Sequence, residues 1–312
     1  MDEAARGPAL ERGGAAADLA RALGFLQGFA RRRAPVVVPV EGGFGVLDER
    51  FPGSYDDNKL IITTSGRPAA VGAEEPSGRP HSAGDEEPAA GAEGPEAGAE
   101  GPEARAEGAA DGAEGLAGRL MAAADEVLAG REHRLVCVDD DRLGTACAPA
   151  FTAAGYEHET NLVMVFRGRI PADPPPAERL TLAELEPVLR RDWRRTLPQA
   201  PGAVIDGLAR RVESRLRGAD TVGFRGVRAP SGEIAARADL YTHGGVAQIE
   251  SVFTGEEHRG RGYARALMHA LLAEAAEAEL IFLVADAADW PRHFYGRLGF
   301  EEAGRTHSFL RT

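Results

Sequence analysis

The chain has 312 residues, 43% of them hydrophobic, with 49 acidic residues against 36 basic ones and a formal net charge of −13 at pH 7. That length accommodates about two domains, and the apolar content allows a sizeable core. The two cysteines, Cys137 and Cys147, belong to no CxxC or Cys/His cluster, which argues against a disulfide framework or a zinc site and for a reducing, cytoplasmic setting without a metal.

The first residues, 1–16, read as a disordered N-terminus without the basic and apolar regions of a secretory signal. No apolar run approaches the roughly 18–20 residues a membrane span needs, so no membrane association is expected. Residues 17–168 form one unit. Its early part holds the strand-like VVVPV, the turn EGGFG and the segment YDDNKLIITT. An acidic segment then interrupts it. Residues 66–115 carry 12 acidic and 3 basic residues, net −9, leaving −4 for the rest of the chain. The overall acidity is therefore local and says little about a substrate. This segment repeats AGAEGPE imperfectly, and Val71 is its one large aliphatic residue. Such composition cannot offset the entropy of ordering, so 66–115 is expected to be a disordered Ala/Gly/Glu/Pro insert, either a bland linker or a tail for a basic partner. A helix over 116–130, a strand in HRLVCVDD (133–140) and FTAAGYEHETNLVMVF (151–166) complete the unit.

A linker at 169–179 leads to a second unit, 180–312. Leu180, Leu182, Leu185, Val188 and Leu189 fall at helical spacing, and so do Val204, Ile205, Leu208, Val212 and Leu216. The arginines of 190–195 and 209–217 lie on these amphipathic helices and read as solvated faces rather than a phosphate track, so no nucleic-acid partner is expected. Strands follow at 221–229, 234–243 and 246–254, separated by Pro230-Ser231-Gly232 and Gly244-Gly245. The continuous apolar run LIFLVAD (280–286) suits a central strand. A short helix around Trp290–Leu298, capped by Asp289, and a strand near Thr306–Arg311 end the chain. The order ααβββαβαβ implies right-handed parallel pairing of 246–254 with 280–286. The first unit echoes the second. FTAAGYEHETNLVMVF aligns with YGRLGFEEAGRTHSFL (295–310) at a shift of 144, and two upstream segments align at 146, which suggests two copies of one unit.

Between the strand 246–254 and the next helix runs GEEHRGRG. Its glycines let backbone approach a ligand, the uncapped amides of the helix carry partial positive charge, and Arg259 and Arg261 add full charge. This suits an anion such as pyrophosphate, or else is a basic Gly-rich turn. No lysine follows Gly262 as a P-loop requires, and the third glycine of a dinucleotide fingerprint is missing. His258 and His293 read as surface histidines.

These residues resemble the GNAT superfamily of N-acetyltransferases. That family's pyrophosphate loop, R/Q-x-x-G-x-G/A, is matched by Arg259-x-x-Gly262-x-Ala264, and its later signature by Tyr295-Gly-Arg-Leu-Gly-Phe300. The resemblance covers about residues 178–312. It implies an α/β (α+β) fold with a mixed central sheet flanked by helices, in two tandem copies. It also implies acetyl-coenzyme A as co-substrate, held by Val252, Phe253, Thr254, Arg259, Gly260, Arg261, Gly262, Tyr263 and Ala264, with pantetheine in a gap between strands 246–254 and 280–286. Tyr295 matches the family's general acid, or is a packed aromatic. Glu250 is the candidate base, directly or through water, and strand alternation places it on the face of Val252. Asp239 and Tyr241 are candidates for the acceptor pocket. The first unit lacks the loop and has Phe151 where the second has Tyr295, so it reads as a degenerate half without acetyl-coenzyme A. The expected activity is acetyl transfer to a primary amine, of a small molecule or of a protein, by a monomer or homodimer. A non-catalytic acyl-coenzyme A sensor and a scaffold organised by the insert are the alternatives.

Overall fold

The computed structural model describes residues 14–63 and 102–312, with side chains from 112 onward in the second stretch. The elements, in chain order, are α1 (Ala15–Arg33), β1 (Val36–Val40), β2 (Gly43–Leu47), β3 (Lys59–Ile62), α2 (Pro102–Val127), β4 (Arg134–Val138), α3 (Asp141–Ala153), β5 (Glu157–Phe166), β6 (Glu178–Leu180), α4 (Leu182–Thr196), α5 (Gly202–Arg210), a 3-10 helix (Arg211–Arg217), β7 (Thr221–Arg228), β8 (Ile234–His243), β9 (Val246–Thr254), α6 (Tyr263–Glu274), β10 (Leu280–Asp286), α7 (Pro291–Leu298) and β11 (Phe300–Arg311). The expected elements of the second unit are all present, preceded by the short β6.

All eleven strands join one mixed sheet in the order β1-β2-β3-β4-β11-β5-β10-β9-β8-β7-β6. The order is nearly palindromic about the β5–β11 pair. β3 runs parallel to β4, as β9 does to β10. At the centre the two halves exchange their last strands: β11 pairs with β4 of the first half, and β5 with β10 of the second. The exchange reaches the cores. Leu162, Met164 and Phe166 of β5 pack with Leu267, Met268, Leu271 and Leu272 of α6. Phe309 of β11 packs with Leu120 and Leu128 around α2, and stacks on Phe151 at 4.2 Å. Each half thus completes its hydrophobic core with a strand from the other, as expected when burial dominates folding.

Strand alternation separates two faces. α2, α3, α6 and α7 cover one through these cores. On the other, Ala22, Phe25 and Phe29 of α1 lie over Val163, Val165, Tyr241 and Phe282, while α4 and α5 pack on Phe224. Leu19, Ala22, Leu26 and Phe29 recur at helical spacing in α1, a signal available in the sequence.

The expected insert is shorter than its composition suggests. Residues 102–115 belong to α2, where alanine and glutamate favour helix; residues 66–101 and 1–13 lie outside the described residues. Among the described residues no helix is long and apolar enough to cross a membrane.

Candidate active site

β9 and β10 pair only at Leu280–Val246, Ile281–Ala247 and Phe282–Gln248. Beyond Gln248 the two strands part, and the C-terminal ends of both open onto a cleft. The local cause lies in β9. Its register against β8 passes from Asp239–Glu250 to Arg237–Phe253, so Ser251 and Val252 together oppose Ala238. Ser251 carries the one positive φ of a non-glycine described residue, 55°, the backbone of a β-bulge, which bends the strand and disrupts the ladder.

The bulge corrects the expected alternation. Val252 packs into the α6 core. Glu250 instead shares the α1 face with Gln248, and the two stand opposite Asp239 and Tyr241 of β8 respectively. Ser251 Oγ accepts a hydrogen bond of 3.1 Å from Arg215, which also pairs with Asp239. Tyr241 donates to the same Asp239 carboxylate at 2.6 Å. Arg215 is therefore no solvated helix arginine. Burial opposes its charge, but Tyr241, Asp239 and Glu250 outweigh burial and hold it firmly protonated. Glu250 accepts from Gln248 Nε2 at 2.7 Å. Burial pushes its carboxyl above the usual range against the pull of Arg215, and Asp56 and Asp239 push the same way.

Beyond the cleft lies the loop. Gly260 and Gly262 have φ of 74° and 85°, a left-handed conformation that L side chains adopt at a cost of about 1–2 kcal/mol. A Cβ at either position would meet open space, so conformation and not crowding selects glycine here. Gly262 caps α6 without a side-chain acceptor, and no acidic residue occupies the first turn. The first amides of Tyr263 and Ala264 thus point outward with the positive end of the helix dipole. Arg259 and Arg261 are exposed beside them. Arg259 reaches back to the carbonyl of Thr254 at 3.4 Å. His258, by contrast with the sequence expectation, is buried and lies edge-on to Tyr263 at 5.8 Å, supporting the loop from beneath.

Tyr295 stands on α7, 9% exposed, between Phe294 and Phe300. Burial, then the negative charges of Glu250 and Asp289, push its phenol up to about 12. Asp289 accepts from the amide of Trp290, itself the N-cap residue of α7, so it sits one place earlier than the cap position expected of it.

Residues 185–300 match the model of the Acetyltransferase (GNAT) family. These residues form a GNAT acetyltransferase domain. The matched stretch runs from α4 to the first residue of β11 and contains every site residue read from the sequence. No curated protein matches the chain. Among solved structures, a functionally unknown conserved protein from Staphylococcus epidermidis is 12% identical, over 88% of this chain and 92% of that one, with a TM-score of 0.55. A GCN5-related N-acetyltransferase from Kribbella flavida is 15% identical, over 96% of both chains, with a TM-score of 0.51. At these identities the likeness is one of fold, and it spans both halves. A GNAT-family protein from Novosphingobium aromaticivorans is 24% identical over 49% of this chain; the match spans 64% of that protein's length, with a TM-score of 0.37.

Around the GNAT cleft the structure gathers residues that sequence reasoning missed. A cavity of about 570 Å³ lies between α1 and the sheet, lined by both halves. Glu250, Gln248 and Tyr241 stand at one end, and Asp139, Glu157 and Glu159 line it farther along. A smaller cavity of about 280 Å³ under α4 shares Glu250, Arg215 and Asp56 with it. Asp56 accepts from Arg211 at 2.8 Å. Burial raises its carboxyl, but Arg211, Lys59 and Arg33 outweigh that and hold it well below the usual range. No local pattern announces these contacts, because Asp56 and Arg211 lie in different halves. Among the described residues no group of His, Cys, Asp and Glu is arranged to hold a metal.

Proposed function

We propose that the protein transfers an acetyl group from acetyl-coenzyme A to a primary amine in the cleft between β9 and β10. The observation that carries this reading is the coincidence, in the GNAT domain, of an unpaired strand edge, an uncapped basic helix start and a buried tyrosine near enough to Glu250 for that carboxylate to raise its phenol.

The residues fit acetyl-coenzyme A in chemistry. The pyrophosphate is an anion, and the amides of residues 260–264, with Arg259 and Arg261, are donors held ready by two left-handed glycines. The pantetheine arm is peptide-like, and the backbone of Val252, Phe253 and Thr254 has no partner on the β10 side, so it accepts such an arm as a sheet edge accepts a strand. Holding both reactants at one cleft removes most of the entropic cost of their meeting.

Glu250 takes the proton of the incoming ammonium, directly or through water. Its raised pKa makes it a better base than an ordinary glutamate. The amine nitrogen then forms a bond to the thioester carbonyl carbon, the carbon–sulfur bond breaks, and the sulfur takes a proton from Tyr295. The surplus proton on the new amide nitrogen returns through water to the phenolate, while Glu250 gives its proton to solvent. With its phenol pushed up to about 12, Tyr295 holds that proton across the physiological range. The first half, 17–168, acts as a degenerate copy without acetyl-coenzyme A: α2 and α3 are present, but Phe151 is fully buried where Tyr295 stands in the second. Its part is to complete the acceptor side.

Release of coenzyme A thiol from acetyl-coenzyme A against a panel of amines tests the reading. Amine-dependent release is expected. Binding of acetyl-coenzyme A with no amine raising thiol release above hydrolysis would make the protein a sensor instead.

A further inference from the structure

We infer that the amine acceptor is a small linear polycation, bound lengthwise in the cavity beneath α1 with one ammonium at Glu250 and a second at the carboxylates of the N-terminal half. The identity of the acetylated nitrogen rests on the transferase reading; the binding does not.

The cavity is long. It runs from Glu250 on β9 across β10, β5 and β11 to Asp139 beside β4, which is four strand spacings, or roughly 20 Å. Its volume lies in the range of small-molecule sites. Glu157 and Glu159 project from alternate positions of β5 on the same face, with Asn161 next in line.

The charges are unbalanced in one direction. Three cations line the cavity, and each is answered by protein: Arg33 by Asp57, Lys59 by Asp56, Arg215 by Asp239. Among the described residues no arginine, lysine or histidine lies within salt-bridge distance of Asp139, Glu157, Glu159 or Glu250. Asp139 accepts from the neutral amide of Gln27 at 2.8 Å, and Glu250 from that of Gln248. Arg215 and Lys59 act on Glu250 and Asp139 only from beyond that distance, and Glu157 and Glu159 are exposed to solvent, so none of the four carboxylates is paired with a cation.

An independent observation points to a donor ligand. Gln248 is 3% exposed and lines the cavity, and its Oε1 has no hydrogen-bond partner. Because its Nε2 donates to Glu250, the acceptor oxygen is the free end. A buried unmet acceptor is costly, and an N–H of an ammonium beside Glu250 satisfies it. One end of the cavity therefore offers a carboxylate and an amide oxygen at the reacting position, and the far end offers three carboxylates to a distant charge. The second ammonium selects the substrate, since charge-assisted contacts are the strong ones.

The test compares spermidine with butylamine on the full chain. In thiol release, kcat/KM for spermidine should exceed that for butylamine by about a hundred-fold, and the ratio should fall at least about ten-fold in Glu157→Gln/Glu159→Gln and in Asp139→Asn. A ratio near one with both amines turned over overturns the inference and leaves the transferase reading intact. So does a preference that survives the substitutions, or a lysine peptide that outcompetes spermidine. Calorimetry of spermidine alone gives a second readout, independent of turnover. Binding that weakens about ten-fold in the double variant supports the site even if no amine is acetylated, and no binding at millimolar spermidine overturns it.

Discussion

Tyr295 and Phe151 occupy equivalent places in the two halves and differ by one oxygen. Each sits in the apolar cluster of its half, Phe151 fully buried and Tyr295 9% exposed, and Tyr295 alone carries a phenol within the influence of Glu250. Tyr295→Phe should therefore leave acetyl-coenzyme A affinity within about two-fold and lower kcat by roughly 10²–10⁴, measured by calorimetry and thiol release together; an unchanged kcat would remove the tyrosine from the chemistry. Asp139 makes a second case. Burial raises its carboxyl to about 6, with Gln27 and then Lys59 pulling the other way. A carboxyl raised in the fold contributes stability that is present below its unfolded value near 4 and lost as pH rises through about 6. Asp139→Asn should flatten the pH dependence of melting between pH 4 and 6 and raise the melting temperature at pH 7. A lower melting temperature at pH 7 would mean the Gln27 contact matters more than the buried charge. Tyr295 was legible in the sequence because its motif is local. Asp139, Glu157 and Glu159 were not, because the strand order that sets them along one cavity with Glu250 is written in no local pattern.

The strand β9, the loop after it and helix α6 act as one element. The sequence announces the loop through Arg259, Gly260 and Gly262, and the helix through the stripe Leu267, Met268, Leu271 and Leu272, all at most 1% exposed. Leu271→Ala should cost about 2–5 kcal/mol of unfolding free energy by leaving a cavity in a close-packed core, read from denaturant midpoints. Gly262→Ala forces an L residue to φ near 85°; it should weaken acetyl-coenzyme A binding at least ten-fold while lowering stability by no more than the left-handed strain of about 1–2 kcal/mol, because a Cβ there meets no neighbour. The bulge at Ser251 escaped sequence reasoning. Alternation from Glu250 to Val252 predicts one face, and nothing in Glu250-Ser251-Val252 marks a residue that will turn left-handed. The arginines at 211 and 215 were read as solvated for a related reason. Helical spacing reports that a face is polar, and it is silent on whether a carboxylate will cover it, be it Asp56 in a loop 155 residues from Arg211 or Asp239 on a strand 24 residues from Arg215.

At the scale of the molecule, the two halves are not separable bodies. The palindromic strand order was foreshadowed by the repeat of 151–166 in 295–310, yet similarity of two segments carries no information on which partner each strand chooses. That choice is visible only in the sheet, where β5 and β11 pair with each other over ten residues and each borders the opposite half. Residues 169–312 made alone would leave β10 with an open edge and β11 without either partner, an aggregation hazard. They should be insoluble by themselves and recovered as a one-to-one complex when co-expressed with residues 1–168, as seen by size-exclusion chromatography. A monomeric, cooperatively folded 169–312 would contradict the exchange.

The proposed transfer depends above all on acetyl-coenzyme A entering between β9 and β10 with its pyrophosphate at the start of α6. Calorimetric titration of the full-length chain with acetyl-coenzyme A tests this most directly. Saturable binding is expected, weakened at least ten-fold in Gly262→Ala. Absence of heat at millimolar acetyl-coenzyme A, or binding indifferent to that substitution, would contradict it.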